Sequence, residues 1–155
     1  MAENKTNEAF RHAELTKTII GVFYDVYNEL GHGFVESVYE NALCMAFREK
    51  GLEVHQQIAI PVWFRDKQIG DFAADVLVNK LVLLELKTAR SIDEAHIAQL
   101  LNYLKATPIE VGLVLNFGPR PEFKRVVFGN ERKTVGAKEP PSDDLLSASS
   151  VSSAV

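Results

Sequence analysis

The run Leu81-Val82-Leu83-Leu84-Glu85-Leu86-Lys87 constrains this chain more than any other segment. A short stretch this dense in aliphatic side chains is typical of a buried strand. Yet it holds Glu85 and Lys87, spaced i and i+2, which project from one face of a strand. Asp75 lies in the preceding extended segment, also among apolar neighbours. In an antiparallel pair, residues directly opposite share a face, so the turn decides whether Asp75 meets Glu85. A two-residue turn at Asn79-Lys80 pairs Val78 with Leu81 and sets Asp75 opposite Leu84, on the wrong face. A three-residue turn at Asn79-Lys80-Leu81 sets Asp75 opposite Glu85.

Two carboxylates about 4 Å apart repel by roughly 4 kcal/mol at an effective dielectric near 20, a large fraction of a domain's stability. Such a pair calls for a cation. Oxygen ligands with waters completing an octahedron suit Mg²⁺ or Mn²⁺. Lys87 beside them can orient an attacking water and stabilise charge developing on a phosphate, which is the apparatus of phosphodiester hydrolysis. The plainer alternative is a Glu and Lys surface pair, a spacing that chance supplies often. The apolar setting of Glu85 and Lys87 weighs against it.

Helical periodicity precedes this region. Leu15, Ile19, Phe23, Val26, Tyr27 and Leu30 form one stripe that stops at Gly31, and Val38, Tyr39, Ala42, Leu43, Ala46 and Phe47 form a second that closes at Gly51. Glu36 falls in the first turn of the second helix, where the helix dipole favours an acid with no function at all. Val54 to Phe64 is β-prone, Arg65-Asp66-Lys67 reads as a turn, and Ile69 to Val78 resumes an extended pattern. Ser91 followed by Glu94 has capping-box spacing, and Ala95, Leu100, Leu101 and Leu104 carry a third helix up to Thr107-Pro108. On it His96, Gln99 and Tyr103 share a face, either a polar stripe turned toward the carboxylates or a solvated face with a half-buried tyrosine. Val111 to Phe117 and Phe123 to Phe128 read as two more strands. The order α-α-β-β-β-α-β-β is an α+β arrangement, a mixed β-sheet flanked by helices.

The chain's 155 residues, 46% hydrophobic and 25% charged, suit one domain, expected over residues 15–135 between a flexible segment 1–14 and a disordered Ser-rich tail 136–155. No apolar stretch approaches the roughly 20 residues of a membrane span, and the polar start lacks the pattern of a signal peptide. Cys44 is the sole cysteine, which excludes an internal disulfide and a thiolate zinc cluster within the chain and fits a reducing, cytoplasmic setting. His32 and His55 show no ligand spacing. The net charge of −4, from 17 Lys and Arg against 21 Asp and Glu, argues against a dedicated DNA-binding module. It argues less against a metal-dependent nuclease, whose bound cations the formal count omits.

The segment Gly33-Phe34-Val35-Glu36-Ser37-Val38-Tyr39 resembles the signature of the GxxExxY protein family, a prokaryotic branch of the PD-(D/E)XK nuclease superfamily. The similarity continues through Ala74-Asp75, Glu85-Leu86-Lys87, the run from His96 to Leu104, and Val114-Leu115-Asn116-Phe117-Gly118, covering roughly residues 15 to 130. The resemblance implies a restriction-endonuclease-like core and a Mg²⁺-dependent nuclease acting on nucleic acid, DNA by expectation. It implies Asp75, Glu85 and the backbone carbonyl of Leu86 as metal ligands, Lys87 as the catalytic lysine, and Glu36 as an added acid. Gln99 and Tyr103 match the Gln-x-x-x-Tyr element of related nucleases, with Gln99 assisting catalysis and Tyr103 and His96 contacting substrate. Lys80 departs from the pattern, standing where many relatives carry glycine. The alternative is a catalytically silent nucleic-acid-binding or complex-forming protein with a nuclease-like fold. A homodimer is compatible with either.

Overall fold

A computed structural model describes residues 11–133. The expected tail, and the N-terminal segment up to residue 10, lie outside the described residues. Helix α1 (Ala13–Leu30) buries Ile19, Val22, Phe23 and Val26 and ends at Gly31, whose φ of 66 suits glycine and whose N–H returns to the carbonyl of Tyr27. Helix α2 spans Glu36–Glu49 and buries Tyr39, Leu43 and Phe47. Strands β1 (Val54–Phe64), β2 (Lys67–Val78) and β3 (Val82–Lys87) follow, then helix α3 (Glu94–Lys105), β4 (Val111–Phe117), β5 (Pro121–Val127) and a 3-10 turn at Asn130–Arg132. The order of helices and strands is the one read from sequence.

The five strands form one sheet in the order β1-β2-β3-β4-β5. β3 and β4, joined through α3, run parallel, and the other neighbouring pairs run antiparallel. Helices α1 and α2 cover one face, where Phe23, Tyr39, Leu43 and Phe47 meet Val76, Leu84, Leu86 and Leu115. Helix α3 covers the other, where Leu100, Tyr103 and Leu104 meet Ile58, Ile60, Leu77 and Leu83. Covered on both sides, β3 and β4 have no need of apolar-polar alternation, and β4 is buried along its whole length.

Local details differ from the sequence reading. The first hairpin turns on the two residues Arg65-Asp66, because Lys67 already pairs with Phe64. A bulge follows: Trp63 pairs with Gln68 but Val62 with Gly70, so Ile69 is an extra residue on β2. The N-cap of α3 is Asp93 rather than Ser91. Its carboxylate accepts the His96 N–H at 3.1 Å while the His96 Nδ1 accepts the Asp93 N–H at 3.2 Å. Asp93 is the better cap because its full negative charge meets the helix dipole while its side chain also satisfies a first-turn donor.

Candidate active site

The turn between β2 and β3 is the three-residue one. Val78 pairs with Val82, and Asn79 and Lys80 both take left-handed backbone, φ 51 and 56. Lys80 bears this without the freedom of the glycine expected at its position. The ladder continues through Leu77↔Leu83 to Val76↔Leu84 and stops there. One step further, where Asp75 and Glu85 stand opposite each other, the side chains take over. The Asp75 N–H donates to Glu85 Oε1 at 3.2 Å, and the Leu86 N–H donates to Asp75 Oδ2 at 2.7 Å. Where the strands part, their backbone donors need acceptors, and the two carboxylates supply them.

A second distortion meets this one. Val54 packs with Val76 and Val78 beneath α1 and α2, whereas Ile58, Ile60 and Ala74 pack beneath α3. The even-numbered positions therefore change sides between Val54 and Ile58, around Gln57, whose φ is 54 and which stands opposite Asp75 outside the ladder. Its Nε2 donates to Glu40 Oε1 at 2.7 Å, and its side chain also bonds to the Asp75 carboxylate. Gln56 Nε2 reaches the other Glu40 oxygen at 2.8 Å. Glu36 and Glu40, one turn apart on α2, thus approach from one face of the sheet.

Lys87 approaches from the other. Its Nζ donates to Gln99 Oε1 at 3.2 Å, and Gln99 Nε2 donates to the Tyr103 hydroxyl at 2.9 Å, a chain running along α3. Asn116 fixes the backbone just beyond Lys87, accepting the Ala89 N–H and donating to the Ala89 carbonyl, both at 2.9 Å. A Cβ on Gly118 would stand 2.0 Å from that same carbonyl, so glycine is required there. Tyr39 secures the approach of Glu36: its hydroxyl donates to the Gly31 carbonyl at 2.5 Å and accepts the Phe34 N–H at 3.3 Å, while its ring stacks on Phe117 at 4.2 Å.

The electrostatics follow from this crowding. Glu85, 3% exposed, is pushed up to about 8, first by burial and then by the Asp75 charge. Asp75 is raised as well, mainly by burial, although the Leu86 N–H and the Lys87 ammonium pull it back. Glu36 adds to the repulsion on both carboxyl groups. Glu40 is raised by burial, against the opposing effect of its glutamine partners. Burial of Val82, Leu83, Leu84 and Leu86, at roughly 1.5–3 kcal/mol each, outweighs the cost of holding Glu85 among them.

The family model of the PD-(D/E)XK nuclease superfamily matches residues 13–126. The chain belongs to that superfamily. PD-(D/E)XK proteins are hydrolytic nucleases that generally use divalent metals, and the mixed five-stranded sheet with flanking helices is their restriction-endonuclease-like fold. A solved structure, that of SSO0001, is similar at 16% identity with a TM-score of 0.43, over 60% of this chain and 50% of its own, so the chain spans half the length of that relative. No curated protein matches.

As a PD-(D/E)XK site, the arrangement has the donor chemistry for a hard divalent cation. Asp75 and Glu85 stand on facing strands, each accepting a backbone N–H from the other strand, and burial with the Asp75 charge pushes Glu85 up to about 8. Among the described residues, no group of three or more His, Cys, Asp or Glu side chains is arranged to hold a metal ion. The octahedral ions that keep several waters do not require one. Of the residues singled out in the sequence, Asp75, Glu85 and Leu86 form one bonded group and Lys87, Gln99 and Tyr103 a second, and the charges of Lys87 and Glu36 both act on the two carboxyl groups. The bonds His96 makes belong to the helix cap. Sequence reading missed Glu40 and Gln57. The i+4 spacing of Glu40 from Glu36 was the available signal for the first, and the second had none without the hairpin register.

Proposed function

We propose that the chain is a Mg²⁺- or Mn²⁺-dependent nuclease of the GxxExxY branch, hydrolysing phosphodiester bonds in DNA in the cytoplasm. One observation carries this reading: the buried Glu85 carboxyl beside the half-buried Asp75 carboxyl at the broken end of a strand ladder, with Lys87 two residues on from Glu85. Asp75, Glu85 and the Leu86 carbonyl would hold the ion, whose part when bound is to neutralise phosphate oxygens and acidify water. Lys87, held by Gln99, orients the attacking water and donates to the phosphate as charge gathers there. Water oxygen bonds to phosphorus, the bond to one ester oxygen breaks, and that oxygen takes up a proton from solvent water as it leaves. Glu36, exposed at the start of α2, would accept the proton lost by the water. Tyr103 and His96 are the proposed substrate contacts. The motif Gly33-Phe34-Val35-Glu36-Ser37-Val38-Tyr39 supports the branch assignment.

The test is purified protein with end-labelled single-stranded, double-stranded and branched DNA in Mg²⁺, Mn²⁺ or EDTA, alongside Lys87→Ala, with gel filtration to separate monomer from homodimer. Cleavage that requires metal and Lys87 supports the proposal. Binding without cleavage under every condition would instead establish a silent relative.

A further inference from the structure

Between α3 and the outer half of the β1–β2 hairpin lies a cavity of about 590 Å³. Val62 and Phe72 form one wall, and Ala95, Ala98 and Ala106 leave space along the helix. The hairpin reaches this position because its inward positions change sides around Gln57, which turns Ile58, Ile60 and Ala74 toward α3. The volume lies within the range of roughly 300–1,000 Å³ for small-ligand sites, which are mostly apolar with a few converging polar groups.

Here the polar groups are those that hold Lys87. Gln99 and Tyr103 line the cavity and also form the chain from the lysine ammonium to the tyrosine hydroxyl. That hydroxyl accepts from Gln99 and keeps its own proton to donate. Asn102 adds an amide. Phe72 meets the Tyr103 ring at 5.8 Å, yet half of its surface, 51%, stays open. Lys105 also borders the cavity, its ammonium lying 5.5 Å from the centre of the Phe128 ring.

We propose that this cavity receives a nucleobase of the substrate, unstacked and unpaired, beside the phosphate attacked at Asp75 and Glu85. The inference rests on the nuclease reading above and narrows the substrate to single-stranded or locally splayed nucleic acid. An open aromatic face, apolar walls and amide groups match a base, which offers a flat π-surface and a hydrogen-bonding edge. Continuity decides the occupant: the side chains that position Lys87 also line the cavity, and a base lies one nucleotide's reach from its own phosphate. In a duplex both faces and the edge of every base are engaged, so entry requires flipping or a single strand.

The experiment measures anisotropy of three labelled probes in EDTA: a 15-nucleotide oligothymidylate, an abasic strand of equal length, and a 15-base-pair duplex. Wild type is expected to bind the oligothymidylate at least about tenfold more tightly than the other two, and Phe72→Ala to weaken that binding by about 5- to 100-fold, as for loss of one stacked base. Ala98→Phe, which fills the cavity, should weaken it comparably, with melting curves as the folding control. Phe72 is half exposed, so its truncation reports even if Ala98→Phe does not fold. Equal binding of the abasic strand or the duplex, or an unaltered affinity in Phe72→Ala, overturns the proposal. Cleavage of the same DNAs in Mg²⁺ separates the two readings. Lys87-dependent cleavage of duplex, undiminished in Phe72→Ala, keeps the nuclease and removes the base pocket. Strand binding sensitive to Phe72 without cleavage in any metal does the reverse.

Discussion

Replacing Glu85 by glutamine should stabilise the metal-free protein at alkaline pH, and the size of the effect follows from the site. The Glu85 carboxyl titrates near 8 in the folded protein against 4.5 when unperturbed. Its folded pKa is the higher, so the folded state holds the proton more tightly than the unfolded chain. The associated stability is therefore fully present below pH 4.5, declines as pH rises, and is gone above about 8. At 1.36 kcal/mol per pH unit the ceiling is about 5 kcal/mol. The introduced amide keeps an oxygen for the Asp75 N–H and gains N–H groups to donate to the Asp75 carboxylate, so the substitution removes the charge and leaves the bond. At about 3–4 °C per kcal/mol for a domain of this size, Glu85→Gln should melt up to about 15 °C above wild type in EDTA at pH 8.5 and close to it at pH 5. Mg²⁺ at about 100 times its dissociation constant should raise wild type by roughly 2.7 kcal/mol, more strongly at pH 8.5 than at pH 6 because proton and cation compete for Glu85, and should do little for the mutant. Thermal melts in EDTA and in Mg²⁺ across this pH range read every term. A wild-type melting temperature that does not fall with pH in EDTA, together with a mutant no more stable at pH 8.5, would refute the reasoning.

Lys87→Ala should lower cleavage by about 100-fold or more while the Mg²⁺-induced melting shift stays the same or grows, since lysine acts on water and phosphate and not on the ion; cleavage kinetics and melts check the two halves. Gln57→Ala removes the amide bonded to both Glu40 and Asp75. Metal affinity, read by titrating the melting temperature with Mg²⁺, should fall about 10- to 100-fold, as for other groups that orient a metal ligand. Gly118→Ala sets a methyl group against the Ala89 carbonyl and should cost about 3 kcal/mol or more in urea unfolding, because backbone on both sides must shift.

Strand parity made the facing of Asp75 and Glu85 legible, but only as one of two outcomes. Asn79 tolerates left-handed backbone and Lys80 does not favour it, so local chemistry left the turn open. The buried branched residues Val78 and Val82, paired across the turn, decide it. Gln57 was hidden for a related reason. With a two-residue turn and no bulge, Asp75 would stand opposite Gln56, and the extra residue Ile69 moves it to Gln57. A one-residue insertion 6 positions from the site is thus what brings an amide to the carboxylate. Tyr39 was visible as a core position of the second helical stripe, while the task of its hydroxyl was not. Its hydroxyl bonds to Gly31 and Phe34 close the loop just before its own helix, and its stacking on Phe117 is long-range, so neither follows from helical periodicity.

The break in the ladder explains why acids are tolerated at this point in an apolar strand. Where β2 and β3 part after Val76↔Leu84, the N–H groups of Asp75 and Leu86 lose strand acceptors, and leaving them bare in the interior would cost about 1–3 kcal/mol each. Each acid satisfies one of these donors and is held in place by it. Burial and repulsion between the acids then hold Glu85 in its protonated form until positive charge arrives. On the proposed reading, a cation bound here would restore the stability that the facing acids withhold from the fold, and so would couple folding of this region to ligand binding.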